Sequence, residues 1–525
     1  SMKNPEQDGA REGSQAPVSG LGQLGRNIRS LPKNFMESLI RQGMPNSSRG
    51  RSKTVFGNVF LHVHSTRTHR WSCRPLFTMG LGIALLAVFI ALAVSGVILM
   101  IYFQPSVEGA YNSIKDIQTV VPGGRYIRNL HRWGAYVMVA LVFLHMARVF
   151  FTNSYKGPRQ FNWVVGVILL VLTLALAFTG YCLPWDQLAY WAITIGSNIA
   201  GSPVEITDAL GITDSFDVGG MQRDLMLGSK SVGGPALLRF YWGHCIVLPI
   251  MMMIFMVIHV WRIRKDGGLS RPTDIREDEL AGTPCDELAE TAFKEKHDKT
   301  YGLMCVVPDK TPAVDRGPEQ TVSTWPSVFY REMAIMSLVI LSLVLLSLFF
   351  NAPLKEMANP AVPENPAKAP WYFLALQEII SYSAFAGGIL LPTLSILFLM
   401  LIPYLDREEG QSGRWFESAD IRKTTIRSAI LSAVAVVTML TVNVTAGWLK
   451  LSQIWITFIN PGTVLAGLFV LLSLGVTART RSTRHGVTVL FVYFLVSFVI
   501  LTYFASVHRG PNWDFYWWPS LWPTH

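Results

Sequence analysis

The sequence predicts an all-α, polytopic membrane protein, with a four-helix bundle followed by about five further transmembrane helices. The chain has 525 residues, of which 50% are hydrophobic and 15% are charged. Unpaired backbone groups are not tolerated in lipid, so long apolar runs are expected to cross the bilayer as helices. There are nine such runs, at 76–102, 133–151, 163–182, 242–261, 333–350, 384–404, 428–448, 463–478 and 487–505.

Four histidines fall in two pairs on the second and fourth of these helices, His131 with His145 and His244 with His259. A helix turns by about 100° and rises by about 1.5 Å per residue. The 14 residues from His131 to His145 therefore bring the two side chains to within about 40° of the same face, about 21 Å apart along the helix. For the 15 residues from His244 to His259 the difference is about 60° over about 22 Å. Two facing helices of this kind can hold two stacked haems, each between one imidazole from each helix. Polar residues that merely line a bundle are the alternative, but they rarely form two register-matched pairs.

Glycines repeat the same step on the two other helices of the predicted bundle. Gly82 and Gly96 lie on the first helix, and Gly166 and Gly180 lie on the third, with 14 residues between the members of each pair. Glycine lets a large rigid group approach the backbone closely. Each pair alone is typical of ordinary small-residue helix packing. Together with the histidines, the glycines predict two walls of a haem-binding bundle.

Five short motifs occur near the ends of these helices. They are His-Arg-Trp at 131–133, Gly-Tyr-Cys-Leu-Pro-Trp-Asp-Gln at 180–187, Arg-Phe-Tyr-Trp-Gly-His at 239–244, Ile-Arg-Lys-Asp-Gly-Gly at 263–268 and Ala-Pro-Trp-Tyr at 369–372. Together they resemble the cytochrome b family of quinol:cytochrome c oxidoreductases, the bc and b6f complexes, from about Phe56 to about Arg407. The Pro-Trp-Asp-Gln motif and the 15-residue histidine spacing resemble the b6f branch.

Two polar stretches divide the chain. Residues 1–55 contain no long apolar run and predict a partly disordered cytoplasmic extension without a cleavable signal peptide. Residues 266–324 predict a cytoplasmic linker between a dihaem four-helix bundle at 56–265 and a C-terminal membrane domain at 325–525. Chains of the b6f type divide into two polypeptides in this region, so the resemblance implies a b6-like half fused to a subunit-IV-like half.

The net charge of +10 reflects membrane orientation rather than nucleic-acid binding. Lys and Arg cluster at 49–74, 148–159, 262–265, 414–427 and 479–484, and two spans separate each cluster from the next. All five clusters are therefore expected on one face, the cytoplasmic or negative side, with the N-terminus. The resemblance places such a chain in a bacterial inner membrane.

The resemblance implies a role for each histidine pair. His131 and His244 would hold a low-potential haem near the positive side, and His145 and His259 a high-potential haem near the basic face. Arg128 and Arg148 occupy positions that the family uses for haem propionates, and Arg159 and Arg239 are further candidates. For Arg239, a side chain that snorkels to the interface is an equal alternative.

A quinol-oxidation pocket is implied at the positive face. The family forms it from two segments, which correspond here to Pro184, Trp185 and Asp186 and to Trp371 and Tyr372.

The family motif Pro-Glu-Trp-Tyr is altered in this chain, because Pro370 stands at the glutamate position and cannot accept a proton. Glu378 is the preferred substitute, with Glu364 and Asp186 as alternatives. A structural role of Glu378 at the interface remains open.

At the negative face, Arg264, Lys265 and Asp266 follow the last histidine and are candidates to supply charge and protons for quinone reduction. The b6f branch carries an extra covalent haem there, attached to one cysteine. Gly80 stands at the matching position and Cys73 lies seven residues earlier, so an extra haem is not expected. His62, His64 and His69 match no zinc spacing well, which favours an interfacial role over a metal site.

The sequence therefore predicts the dihaem cytochrome b subunit of a bacterial bc-type complex, an oxidoreductase that is catalytic only within its assembly. A Rieske iron–sulfur protein and a c-type cytochrome would be separate polypeptides, because no motif for either group occurs in this chain. The family implies a homodimer among membrane lipids and exchange with the quinone pool. A dihaem membrane anchor for a periplasmic enzyme, without electron bifurcation, is the alternative. A transporter with histidines in its cavity is a third class and predicts no haem.

The expected absence of a covalent haem is directly testable. Because Gly80 offers no thiol, haem staining after denaturing gel electrophoresis should leave this chain unstained. A stained band at the mass of this chain would contradict the expectation and would make Cys73 the attachment candidate.

Overall fold

The computed structural model describes residues 48–58, 61–272, 274–281, 283, 320–408, 410, 412–449 and 453–523, with the single residues 29 and 32. Most of the predicted extension 1–55 and residues 284–319 of the predicted linker lie outside this part. Nine helices in the described residues are long and apolar enough to cross a membrane. They are α1 Leu81–Tyr102, α2 Gly124–Phe151, α3 Gly157–Tyr181, α4 Gly234–Lys265, α5 Thr324–Phe349, α6 Ala386–Leu405, α7 Ala419–Thr445, α8 Pro461–Thr480 and α9 Thr483–Val507. The all-α, polytopic prediction is confirmed.

The remaining elements are short. Further α-helices are Ser48–Gly57, Pro75–Thr78, Ala110–Thr119, Gln187–Gly201, Val204–Ala209, Val218–Leu227, Trp371–Ile380 and Gln453–Phe458. Short 3₁₀ segments are Leu61–Val63, Arg70–Cys73, Glu277–Leu280, Pro511–Trp513 and Pro519–Leu521. The strands β1 Arg67–His69 and β2 Thr321–Ser323 pair antiparallel, with Thr68 opposite Val322. This pairing ties the segment before α1 to the segment before α5.

Several helices begin well before their apolar runs. The helix α2 starts at Gly124, where Gly123 has a φ of 74°, and it includes the polar stretch around Arg125 and Arg128 before the apolar run from residue 133. A bilayer core requires only about 20 helical residues. The backbone keeps its hydrogen bonds beyond the core, so polar residues extend the helices at the interface.

The first four long helices contact one another in a ring, α1 on α2, α2 on α3, α3 on α4, and α4 on α1. The helix α4 contains a π-helical segment at Gly243–Val247. The C-terminal half docks on this ring through α5, which packs on α1 and α2, and through α6, which packs on α3. The helices α7 and α8 pack on α9, as does the short helix Trp371–Ile380.

The two halves share a buried core on the basic side of the molecule. Phe150 of α2 stacks on Phe491 of α9 with ring centroids 3.8 Å apart. Beside them, Arg484 donates to the Tyr155 hydroxyl at 2.6 Å, and that hydroxyl donates to Asp406. Burial raises the pKa of the Tyr155 phenol well above its ordinary value, so it remains a donor. Removing one partner from such a buried charged cluster is expected to be strongly destabilising.

Candidate functional site

The first histidine pair lies inside the helix ring, with His131 on α2 and His244 on α4. Their ring centroids are 6.1 Å apart and their planes make an angle of 78°. With metal–nitrogen bonds of about 2.0 Å, two imidazoles on one metal have centroids about 6 Å apart. A Cβ on Gly96 would lie 3.2 Å from Cε1 of His131, and one on Gly180 would lie 2.5 Å from Cε1 of His244. This pair of rings fits one iron, and each ring faces a glycine.

The second pair repeats this arrangement closer to the basic side. His145 and His259 have ring centroids 6.4 Å apart at an angle of 73°. A Cβ on Gly82 would lie 3.7 Å from Cε1 of His145, and one on Gly166 would lie 3.6 Å from Cε1 of His259. The four predicted glycines thus face the four predicted histidines one to one, on neighbouring helices.

The π-helical segment of α4 explains why the two histidine spacings differ. His131 and His145 lie on the continuous helix α2. His244 lies within the π segment Gly243–Val247, ahead of the regular helix that carries His259. A π segment absorbs about one extra residue, which brings His244 and His259 to within about 40° of one face of α4, as for His131 and His145 on α2. The two histidines of α4 therefore have the same register as the two histidines of α2, although the sequence spacings differ.

The ring nitrogens of the first pair have defined partners. Nδ1 of His131 lies 2.9 Å from the Ser95 hydroxyl oxygen. Nδ1 of His244 lies 3.1 Å from the Leu176 carbonyl oxygen and 3.2 Å from the Thr179 hydroxyl oxygen. Contacts at Nδ1 orient an imidazole and leave Nε2 for a metal. Sequence reasoning missed Ser95 and Thr179, although each lies one residue before a glycine of the 14-residue repeat.

The predicted propionate arginines differ in their contacts. Arg148 is buried and donates from Nε to the Phe77 carbonyl at 2.9 Å, while its Nη2 has no hydrogen-bond partner among the described residues. That free donor beside the second pair fits a carboxylate. Arg128 instead donates to the carbonyls of Ala352 and Pro353 at 2.8 and 2.7 Å. Its guanidinium holds the loop after α5.

The other predicted arginines have protein neighbours. Arg159 donates to the Gly268 carbonyl at 3.1 Å. Arg239 lies against Gly228. Arg264 donates to the His62 carbonyl and lies 5.4 Å from the ring centre of Phe56.

The Pro184–Gln187 turn is held by the loop that precedes the Trp371–Ile380 helix. The Asp186 carboxylate accepts the Lys355 backbone N–H at 3.0 Å, and the Gln187 N–H donates to the Glu356 carbonyl at 2.9 Å. Trp185 is buried and has a left-handed φ of 54°. The structure therefore joins this turn to residues 355–356 of the preceding loop, and its convergence with Trp371 and Tyr372 stays a prediction.

Trp371 and Tyr372 begin the short helix directly after Pro370. Trp371 packs near Phe498 of α9, with ring centroids 6.4 Å apart. The Tyr372 ring meets the Tyr136 ring edge-on at 5.5 Å. Burial raises the pKa of Tyr372 above its ordinary value, so its phenol is neutral.

Tyr136 contacts both Tyr372 and Arg132, the residue that follows the candidate ligand His131. Arg132, which follows His131, donates to the Tyr136 hydroxyl at 2.8 Å. The Arg132 guanidinium lies 4.7 Å from the ring centre of Tyr136 and 5.3 Å from that of Tyr181. Sequence reasoning missed this cluster; the spacing of four residues between Arg132 and Tyr136 was the available signal.

The Glu378 carboxylate forms hydrogen bonds with the C-terminal segment, a role other than the one predicted from the sequence. Its carboxylate has no exposed surface and accepts from Arg509 at 2.6 and 2.9 Å, from Tyr382 at 2.8 Å and from Trp513 at 3.1 Å. A carboxylate with four donors around it holds the C-terminal segment on the short helix. The prediction that Glu378 accepts the quinol proton stays untested, and the geometry favours the structural role.

The two alternative acids also have partners. Asp186 accepts the Ala189 N–H at 2.9 Å, as the cap of its helix, in addition to the Lys355 N–H. Glu364 pairs with the Lys355 ammonium at 2.7 Å, and 23% of its side chain is exposed. Of the three acids, Glu364 is the one with access to water.

The basic end of α4 holds the predicted negative-side residues. Asp266 pairs with Arg262 at 2.8 Å, and burial raises the pKa of the Asp266 carboxyl above its ordinary value. Lys265 lies over the Trp261 ring at 4.8 Å. Gly80 has a φ of 61° and packs against Ile335 of α5.

Two family models match the chain, Cytochrome b/b6/petB at residues 72–267 and Cytochrome b(C-terminal)/b6/petD at residues 357–465. Cytochrome b6 of Heliobacterium mobile is 44% identical over 187 residues, which are 35% of this chain and 81% of that protein. Cytochrome b6 of Heliomicrobium gestii is 42% identical over 192 residues, 36% of this chain and 83% of that protein. The solved structure titled "Hyperthermophilic respiratory Complex III" has a TM-score of 0.53 at 23% identity, covering 82% of this chain and 92% of that chain, which shows a shared fold.

The role of Glu378 can be tested with Glu378→Gln and the double variant Glu378→Gln/Arg509→Gln. The single variant leaves Arg509 buried without its carboxylate and should lose about 3–5 kcal/mol of stability. The double variant removes both charges and should regain most of that loss, with near-normal quinol oxidation. Thermal unfolding and turnover are the measurements. A stable double variant with turnover reduced on the order of 10²-fold would instead identify Glu378 as the proton acceptor.

Proposed function

The chain belongs to the cytochrome b family, with a b6-like N-terminal part and a subunit-IV-like C-terminal part, and we propose that it is the dihaem b subunit of a bacterial quinol:cytochrome c oxidoreductase. It is an integral membrane protein with an oxidoreductase role. One observation carries the proposal: two pairs of imidazoles each have the separation that one iron requires, and each of the four rings faces a glycine on a neighbouring helix. Members of this family normally bind b haems.

The two histidine pairs would hold the haems, His131 with His244 and His145 with His259. A b haem held by two imidazoles would carry one electron at a time. Arg148 supports this assignment because its Nη2 is a buried donor without a protein partner among the described residues. Ser95 would orient the His131 ring through Nδ1.

Quinol oxidation would take place at the positive face, between the Pro184–Asp186 turn and the start of the Trp371–Ile380 helix. Hydrogen bonds from 355–359 hold the turn against the loop that precedes this helix. Tyr372 would offer a neutral hydroxyl to the quinol headgroup, while Trp185 and Trp371 supply flat apolar surface. Among the candidate acids, Glu364 has the water access that a departing proton requires.

The second electron would cross to a quinone at the negative face, where Arg264, Lys265 and Asp266 lie. Asp266 supports this assignment because burial raises the pKa of its carboxyl, which favours the protonated form. The division into 1–55, 56–265, 266–324 and 325–525, with a cytoplasmic N-terminus, belongs to the same proposal.

The partners would be a Rieske iron–sulfur protein and a c-type cytochrome, in a homodimeric complex of the bacterial inner membrane. A dihaem anchor without bifurcation would not need the wall that the C-terminal half adds at Asp186 and Tyr372.

Replacement of one ligand tests the haem assignment. His244→Ala removes an axial imidazole, so the purified protein should contain one b haem per chain instead of two, as measured by the haem-to-protein ratio and the optical spectrum. His485→Ala is the matched control, because that histidine contacts Ser482 at the start of α9, away from both pairs. Two low-spin haems in His244→Ala would contradict the assignment.

Purification of the intact complex tests the reaction. A tag on this chain should recover an iron–sulfur protein with a Rieske-type paramagnetic signal, a c-type cytochrome, and quinol-dependent cytochrome c reduction. Recovery with a periplasmic dehydrogenase or reductase and without an iron–sulfur protein would favour the membrane anchor instead.

A further inference from the structure

The segment before α1 lies between the ends of two helices on the basic side. The 3₁₀ segment Leu61–Val63 packs on α4, where the His62 carbonyl accepts from Arg264. A few residues later, β1 pairs with β2, which leads directly into α5. These two attachments hold the segment in place and bring His64 to the start of α5.

His64 contacts the first acidic residue of α5, and the contact is an ion pair when the imidazole is protonated. Its Nε2 lies 3.0 Å from Oε2 of Glu332, with 28% of the His64 side chain and 17% of the Glu332 side chain exposed. Nδ1 of His64 is buried without a hydrogen-bond partner among the described residues. The pair is therefore mostly enclosed by protein, while part of each side chain remains accessible to solvent.

The pair lies next to the second histidine site. On α5, Ile335 follows Glu332 by three residues, about 4.5 Å along the helix. Ile335 packs against Gly80, and Gly82 faces His145. From the other side, Arg264 follows His259 by five residues and contacts the backbone of His62. The His64–Glu332 pair thus borders the same face at which a quinone would be reduced.

We propose that His64 and Glu332 form the proton-loading pair for quinone reduction at the negative face. This inference rests on the proposed function. Conversion of a quinone to a quinol takes up two electrons, which the b haem of that face would supply one at a time, and two protons from water. For each proton delivered by this route, an N–H bond of protonated His64 breaks and an O–H bond forms on a quinone oxygen. Glu332 stabilises the imidazolium while water returns the proton.

The electrostatics of the pair suit this role. The hydrogen bond to Glu332 and its negative charge raise the pKa of His64 above the ordinary 6.5, although burial acts in the opposite direction. A donor of this kind is active below its pKa and is lost as the pH rises through it. Cys73 adds no charge, because burial raises the pKa of its thiol to about 11. Other ionisable groups on the elements packed around the pair include Arg331, Arg264, Lys265, Arg67, Arg51 and Lys53.

The test uses the whole complex and follows oxidation of the reduced negative-side b haem by a short-chain quinone of the type extracted from the native membrane. His64→Gln should slow this oxidation on the order of 10²-fold at neutral pH and remove the alkaline decline in rate. Glu332→Gln should move that decline to lower pH, because it removes the interaction that raises the pKa. Glu332→Asp should restore part of the original profile.

His62→Gln is the matched control, since its ring contacts the Phe56 carbonyl and lies edge-on to the Phe56 ring. It should keep the wild-type pH profile. An unchanged rate and pH profile in His64→Gln, with both haems present, would overturn this inference but leave the proposed function intact. Absence of haem, or of any haem oxidation by quinone in the wild-type complex, would overturn the proposed function instead.

Discussion

Helix register over about 21 Å is the constraint on which the candidate sites depend. Each site needs two imidazoles at one height, with room beside them for a large flat group. The continuous helix α2 keeps His131 and His145 near one face, and the π-helical segment at His244 brings α4 into the same register. The glycines of α1 and α3 lie opposite the rings, so the helices can stay close without filling the space that a haem needs.

The C-terminal half completes the face opposite the basic clusters through hydrogen bonds. Arg128 of α2 holds the loop after α5, and Asp186 binds the backbone of the same loop. Their partners lie more than 160 residues away in the sequence, so the two halves must dock before this face exists. Fusion of the two parts in one chain keeps these partners together.

Buried charged groups hold the C-terminal half in place. Glu378 and Arg509 tie the end of the chain to the short helix, while Asp406 and Arg484 tie α6 to α9 near the end of α2. Such groups tolerate the low dielectric of the interior only as satisfied pairs, because an unpaired buried charge carries a large desolvation cost. This cost explains why acids that resemble proton acceptors in the sequence serve as structural anchors in the fold.

The sequence alone determined the class of fold, and it predicted nine spans, two histidine pairs and a matching glycine step, because helical periodicity and hydropathy are local properties of a chain. It also predicted that Pro184–Asp186 and Trp371–Tyr372 converge, through resemblance to a family. Only the tertiary structure decided that Arg128 and Glu378 bind protein groups, that Tyr136 contacts Tyr372, and that a π-helical segment corrects the 15-residue spacing. The first three outcomes depend on which distant groups lie close together in the fold. Residue type and spacing do not encode that distance, since it is set by the docking of the two halves.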